Sequence, residues 1–408
     1  MKKNVMKKMV LLLCLAFMMC VVAGCGGEAT GDQPGVTDEP GATSGDVIKL
    51  GYLGAKTGAV ANYGIPAEKG MIMAIEEINA AGGVLGMQLE GIYEDNKGET
   101  SEIATITQKY ITRDKVAALV GDPCTGLTIA AAKIAQDNEI VLFSGGATGT
   151  GVVEVGDYIF RNTLLDAYAG PIVVDWMINE QGWTDVAVIT SMNNGYSTAL
   201  TPVFVDAINA AGGNIVIEES VNDGDIDYTA QVTNIKNADP DVIVFTGYYT
   251  EAALIMAEVQ KKGMDINMIG GDGLYGLDLG KLGGSAVENK VMFYCGFSSD
   301  TPSPETAAFI EAYRARWNED PDMFSAQYYD AVNILAYAMT EANSADPKVF
   351  KDYIATLDNY PGVSGATTID SETREPRKGT VFLQTPVQNP EALEGWEFKL
   401  VEAIEVEV

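Results

Sequence analysis

From Val47 onward the chain alternates short apolar runs with longer stretches in which apolar positions recur every three or four residues. The short runs read as buried parallel strands and the longer ones as amphipathic helices, because a strand covered on both faces is apolar throughout while a surface helix buries one stripe. Val47, Ile48, Leu50, Tyr52 and Leu53 make a first strand. Pro66 is placed to open a helix in which Met71, Ala74, Ile75 and Ile78 share a face, and Gly82 with Gly83 ends it. A strand at 89–93, a helix over 101–111 and strands at 117–120 and 140–143 follow. The second half repeats the scheme, with strands at 186–189, 215–217, 242–245 and 268–270. This pattern predicts an α/β fold with parallel sheets.

The run from Ile78 to Gly83, Ile-Asn-Ala-Ala-Gly-Gly, recurs letter for letter from Ile208 to Gly213. Both copies close a predicted helix and lead into a predicted strand, so the echo suggests two similar lobes built on one plan. The ordered length also favours two domains.

The first 45 residues do not share the alternation. Lys2, Lys3, Lys7 and Lys8 precede an apolar run from Met9 to Val22 that is too short for a comfortable membrane span. Val22-Ala23-Gly24-Cys25 follows, two small residues before a thiol. We read 1–24 as a lipoprotein signal that is cut off, Cys25 as the lipidated first residue, and 25–45 as a flexible tether, since its Gly, Ser, Thr, Pro, Asp and Glu cannot bury enough surface to offset ordering. The expected location is extracytoplasmic, lipid-anchored to the cell membrane, in a periplasm or at an exposed surface.

A formal net charge of -31 makes nucleic acid an unexpected partner and a monomer the expected state. The chain has no histidine, which removes histidine-based nucleophile systems and the usual zinc sites. No cofactor, metal or catalytic residue is expected. Of five cysteines, Cys124 and Cys295 remain in the folded part, as two buried thiols or one bridge.

In open parallel sheets the ligand lies beyond the carboxyl ends of the strands. After the strand ending at Val120 stands Gly121-Asp122-Pro123-Cys124-Thr125-Gly126, and after Phe143 stands Ser144-Gly145-Gly146-Ala147-Thr148-Gly149-Thr150. Small residues, hydroxyls and backbone amides suit a carboxylate, although such clusters also serve as turns and caps. The second half places Asn193-Asn194-Gly195-Tyr196, Gly247-Tyr248-Tyr249 and Gly271-Asp272-Gly273 at matching positions. An acid beside tyrosine hydroxyls suits an ammonium, whereas Asp272 alone reads first as a turn residue or helix cap. Phosphate-loop and dinucleotide patterns are missing, and Asp223-Gly224-Asp225-Ile226-Asp227 lacks the glycine and final glutamate of a calcium loop. Asp227 is expected to cap the helix near Thr229.

These residues, with Gly54-Ala55-Lys56-Thr57-Gly58, Tyr63-Gly64, Tyr93-Glu94-Asp95-Asn96, Gly247-Tyr248-Tyr249-Thr250-Glu251 and Tyr328-Tyr329-Asp330-Ala331, make the chain resemble type I periplasmic solute-binding proteins of the family serving branched-chain amino acid ABC transporters. The resemblance runs from Val47 to the C-terminus. It implies two Rossmann-like lobes joined by a three-stranded hinge, one formed by 46–166 and 296–375, the other by 167–295 and 376–408. It implies an amino-acid carboxylate held at Thr125, Ala147 and Thr148, an ammonium held at Tyr196 and Asp272, and aromatic contacts from Tyr63, Tyr248 and Phe324. The partner it implies is an ABC permease, which receives a branched-chain or other apolar amino acid. An amide, urea or aromatic-acid ligand, or a sensing role, is the alternative. Three departures stand out: Asp272 replaces the glutamate of many members, Cys124 lacks the nearby cysteine that pairs with it in some, and Asp122 adds a charge at the expected pocket edge.

Overall fold

The computed structural model describes residues 47–276, 278–300, 302–392 and 395–406. The signal segment, Cys25 and the tether lie outside the described residues.

The first lobe is built on a sheet of β1 (Ile48–Gly54), β2 (Leu89–Asp95), β3 (Ala118–Val120), β4 (Val141–Ser144) and β5 (Ile159–Arg161), in the order β2-β1-β3-β4-β5 with every neighbouring pair parallel. Helices α1 (Ala61–Ala80), α2 (Thr100–Lys109) and α3 (Thr125–Asp137) connect its strands. The second lobe begins with α4 (Asp166–Asp175), β6 (Asp185–Ser191), α5 (Gly195–Ala210), β7 (Asn214–Val221), α6 (Thr229–Ala238), β8 (Val242–Phe245), α7 (Tyr249–Lys261), β9 (Asn267–Gly270), α8 (Asp278–Gly283) and β10 (Val291–Cys295). The chain then returns to the first lobe as α9 (Pro304–Trp317), α10 (Met323–Glu341) and α11 (Pro347–Ala355), with α10 packed against α1, β3 and β4. A short ribbon of β11 (Thr368–Ile369) and β12 (Pro376–Arg377) precedes the last crossing. Finally β13 (Thr380–Gln388) and β14 (Trp396–Glu405) add antiparallel strands to the second sheet, whose order is β14-β13-β10-β9-β8-β6-β7. No helix among the described residues is long and apolar enough to cross a membrane.

The repeated hexapeptide performs the same task twice. Gly83 N–H donates to Ile78 O and Gly213 N–H to Ile208 O, each at 2.9 Å, while Gly82 and Gly212 donate to Asn79 O and Asn209 O. This is the paired closure of a Schellman end, and it needs a residue at positive φ: Gly82 has φ +110° and Gly212 +82°.

One helix start is corrected. Pro66 does not open α1 but lies inside it, because the helix begins at Ala61 on a turn closed by Tyr63 N–H and Gly64 N–H to Val60 O. The added turn is the part of α1 that reaches the site, carrying Asn62 and Tyr63. It is held against β1 by Tyr52 O–H donating to Gly64 O at 2.6 Å. A Cβ on Gly64 would stand 2.0 Å from Ala55 O, so the backbones could not remain this close. Gly64→Ala is expected to cost about 1–3 kcal/mol of stability as an overpacking defect, read as a lower denaturant midpoint with an unchanged slope.

Asp227 Oδ1 accepts Thr229 N–H at 2.9 Å, one residue upstream of the cap position that Tyr228 occupies. Cys124 and Cys295 are both free and buried.

Candidate functional site

Strand ends and helix starts from both lobes meet on one small cavity. It is lined by Tyr63, Pro123, Cys124, Thr125, Gly146, Thr148, Tyr196, Tyr248, Asp272, Gly273 and Phe324. Seven of the eight residues expected at the ligand therefore come together, drawn from positions more than 260 apart in the chain. Ala147 does not line the cavity. Its N–H donates to Ser144 Oγ at 3.1 Å and its carbonyl accepts from Arg161, so its polar atoms are spent on holding the loop.

Each element aims its residue for a local reason. Asn194 caps α5 by accepting from the N–H groups of Tyr196 and Ser197, which fixes the Tyr196 backbone. Asp322 and Ser325 form a reciprocal capping box at the start of α10, directing Phe324 inward. Thr125 opens α3, and its Oγ1 accepts Gly149 N–H at 3.1 Å, tying the helix start to the 145–150 loop. The starts of α3 and α5 approach each other at Gly126 and Gly195. Two positive helix ends thus converge beside the hydroxyls of Thr125 and Thr148, a setting for an anion.

The opposite wall is acidic. Asp272 is 5% exposed, and its Oδ1 accepts from Tyr196 O–H at 3.0 Å and from Thr148 Oγ1 at 3.2 Å. No lysine or arginine pairs with it among the described residues. Burial, then the neighbouring Asp166, push its carboxyl well above the usual range, against hydrogen bonds from Tyr196, Thr148 and Gly273 N–H. A carboxylate kept dry without a cation is costly, and an ammonium entering beside it would remove that cost.

Between the two walls stand aromatic rings. Tyr196 and Tyr248 stack at 5.6 Å between ring centres and 16° between planes, and Tyr63 meets Tyr248 edge-on at 5.4 Å and Phe324 at 4.9 Å. Burial holds the phenols of Tyr63, Tyr196 and Tyr248 well above their usual range, so all three stay protonated donors. Tyr63 O–H donates across the cleft to Gly273 O at 2.5 Å, and Asn62 Nδ2 reaches Tyr249 O–H and Asp278 Oδ2. With these contacts made, the space left in the cavity is about 10 Å³, room for roughly one water.

Asp122 is corrected from pocket edge to support. It is fully buried behind the lining, where Oδ1 accepts Cys124 N–H at 2.7 Å and Oδ2 accepts Asn96 Nδ2 at 2.6 Å. Burial pushes its carboxyl up to about 7 against those bonds. Its charge shapes the turn before α3 and does not face a ligand.

Two buried groups behind the site carried no signal in the sequence reading. Arg161, at the end of β5, is 1% exposed; its Nη1 donates to Ala147 O and Gly149 O at 2.7 Å each, and its Nε and Nη2 grip Glu375 at 2.8 and 2.5 Å. It clamps the loop that presents Thr148. Asp166, the first residue of α4, is also 1% exposed and accepts Tyr294 O–H at 2.6 Å. A buried acid at a helix start looks like an ordinary cap in sequence, and Glu375 lies too far from Arg161 for any local pattern to join them.

Two sheets turn their strand ends toward a shared cleft, the arrangement in which open parallel sheets bind small molecules. Residues 47–388 match the sequence profile described as periplasmic binding protein, and the chain belongs to that family, whose members are non-enzymatic ligand-binding components of transport. It is 30% identical over 306 residues, 74% of this chain and 80% of the relative, to a leucine-, isoleucine-, valine-, threonine- and alanine-binding protein of Pseudomonas aeruginosa. It is 27% identical over 304 residues to a leucine-specific-binding protein of Salmonella typhimurium, covering 74% and 81% of the two chains. Among solved structures it is similar to the branched-chain amino acid transporter substrate-binding protein LivJ of Streptococcus pneumoniae in complex with isoleucine, with 33% identity, a TM-score of 0.79 and coverage of 88% and 99%. The leucine-binding protein LivK of Thermotoga maritima gives a TM-score of 0.81 at 26% identity, again over 88% and 99%.

Proposed function

We propose that this chain is the substrate-binding protein of an ABC transporter for a free amino acid, branched-chain or otherwise apolar, held to the outside of the cell membrane by lipid on Cys25 and acting as a monomer. The observation that carries the reading is the opposed chemistry of one cavity: hydroxyls and helix starts at Thr125 and Thr148 on the first lobe, and buried Asp272 with Tyr196 on the second. A zwitterion fits both walls. Its carboxylate would take the Thr125 and Thr148 side and its ammonium the Asp272 side, with Tyr63, Tyr248 and Phe324 around an apolar side chain. The names of the relatives in Pseudomonas and Salmonella support this ligand class.

Capture then works by hinge closure. The lobes, 46–166 with 296–375 and 167–295 with 376–408, would turn about the three crossings near 162–165, 296–303 and 370–379. A ligand touching both lobes favours the closed form by its difference in affinity for closed and open states, and by no more than that. The closed form is what the permease would receive.

A thermal-shift screen against the amino acids, together with simple amides, urea and aromatic acids, tests the reading. A ligand at about 100 times its dissociation constant adds about 2.7 kcal/mol to the folded state. Leucine, isoleucine or valine is expected to raise the melting temperature by several degrees. A response confined to amides or aromatic acids would refute the zwitterion site.

A further inference from the structure

The acidic wall contains a second carboxylate, and its hydrogen bonds do not balance unless a proton is present. Asp166 Oδ1 accepts from Tyr294, but Asp166 Oδ2 is buried with no partner. The hydroxyl protons around the two acids are already committed: Tyr294 to Asp166, Tyr196 to Asp272 Oδ1, and Thr148 to Asp272 Oδ1. Thr148 lies between the acids: its hydroxyl also reaches Asp166, where a donated bond would favour the ionised carboxyl, and its carbonyl accepts Asp166 N–H. A threonine hydroxyl has one proton and two lone pairs. That one proton serves only one of the two acids at a time, so the other faces its lone pairs as acceptor against acceptor, and Asp166 Oδ2 has no other donor. One proton on that oxygen resolves the conflict and completes a chain from Asp166 through Thr148 to Asp272.

We infer that Asp166 and Asp272 hold one proton between them through Thr148, and that capture of an ammonium ligand releases it to solvent. Asp166 is thereby a positioning residue of the site. The exchange conserves charge: a singly charged acid pair becomes a doubly charged pair with one cation beside it, so the buried wall keeps the same net charge throughout. The O–H bond of the shared acid breaks, its electrons remain on the carboxylate, and the proton passes to buffer. The groups facing the pair agree with this. Tyr294 and Cys295 approach from β10, Tyr196 from α5 and Tyr63 from α1, all with their ionisation raised by burial. Arg161 is the cation that reaches Asp166 from β5, and it is bound to Glu375. Burial raises both carboxyls above their ordinary range.

The inference rests on the amino-acid reading, and its sign follows from linkage. If the complex binds fewer protons than the free protein, affinity rises with pH while the free pair still holds its proton, and levels off above that range. Titration calorimetry of the purified protein with leucine, from pH 5.5 to 7.5 in two buffers of different ionisation heat, counts the protons. Close to one proton released per leucine is expected, with affinity rising nearly tenfold per pH unit. In Asp166→Asn, whose amide donates to Thr148 as the shared proton does, the count is expected to fall below half and the slope to flatten. Leucine binding with no proton exchange in the wild-type protein, or undiminished release in Asp166→Asn, would overturn the inference. Failure of every amino acid to bind would remove the functional reading and this inference with it.

Discussion

Asp272→Ala is expected to weaken amino-acid binding by about 2–5 kcal/mol, roughly 30-fold or more. The carboxylate sits on the turn after β9, 5% exposed, where Tyr196 and Thr148 hold one oxygen toward the cavity. Removing it leaves an ammonium in a dry site lined by neutral hydroxyls, with the Asp166 carboxyl behind them and outside the cavity lining, and the desolvation of that cation is no longer fully offset. The fold has no stake in the charge, because no cation pairs with Asp272 among the described residues and burial already works against its ionised form. Calorimetry should therefore show lost affinity in a variant whose melting temperature, without ligand, is unchanged or higher. Unchanged affinity would take the ammonium role away from Asp272.

Glu375→Gln is expected to have the opposite profile, with stability as the main loss. Glu375 neutralises Arg161, whose side chain is 2% exposed, through two parallel hydrogen bonds. Breaking a buried pair from one side costs about 3–5 kcal/mol, because the remaining charge stays buried without compensation. The lower end applies, since Glu375 retains 19% of its side-chain exposure. Urea denaturation should show this as a lower midpoint at nearly constant slope. Binding should weaken as well, because Arg161 also fastens Ala147 O and Gly149 O on either side of Thr148. A stability loss below 1 kcal/mol would show that the clamp is not a main support of this region.

The contrast between these two residues bears on what sequence could reveal. The place of Asp272 at the cavity was legible only together with Tyr196 and the other strand-end residues, because parallel sheets gather strand ends at one cleft while a lone acid between glycines reads first as a turn residue or cap. The repeated Ile78–Gly83 and Ile208–Gly213 ends were legible because a Schellman closure is local: six residues contain both its bonds and its positive φ. The start of α1 was not, since Pro66 is a strong sign of a first turn, while the true start depends on Tyr52 of β1 donating to Gly64 O and on Ala55, just after β1, lying against Gly64 at close range. The sequence puts Asp122 at the pocket edge, and only the placement of Asn96, just after β2, shows that it turns inward. Arg161 with Glu375 and Asp166 with Asp272 are pairings made by the fold across more than 100 residues, and nothing in their local spacing announces them.

The central claim is that one cavity holds both ends of a zwitterion, each on a different lobe. Calorimetric titration with leucine and with its two truncated forms, 4-methylpentanoic acid and 3-methylbutylamine, tests that most directly. These keep the side chain and remove the ammonium or the carboxylate in turn. A site with buried groups built to meet both ends rejects a ligand lacking either, because the unmet group stays desolvated. The account predicts that leucine binds and that each truncated form binds at least about 100-fold more weakly, near 2.7 kcal/mol. Binding of the acid or the amine with the affinity of leucine would contradict it.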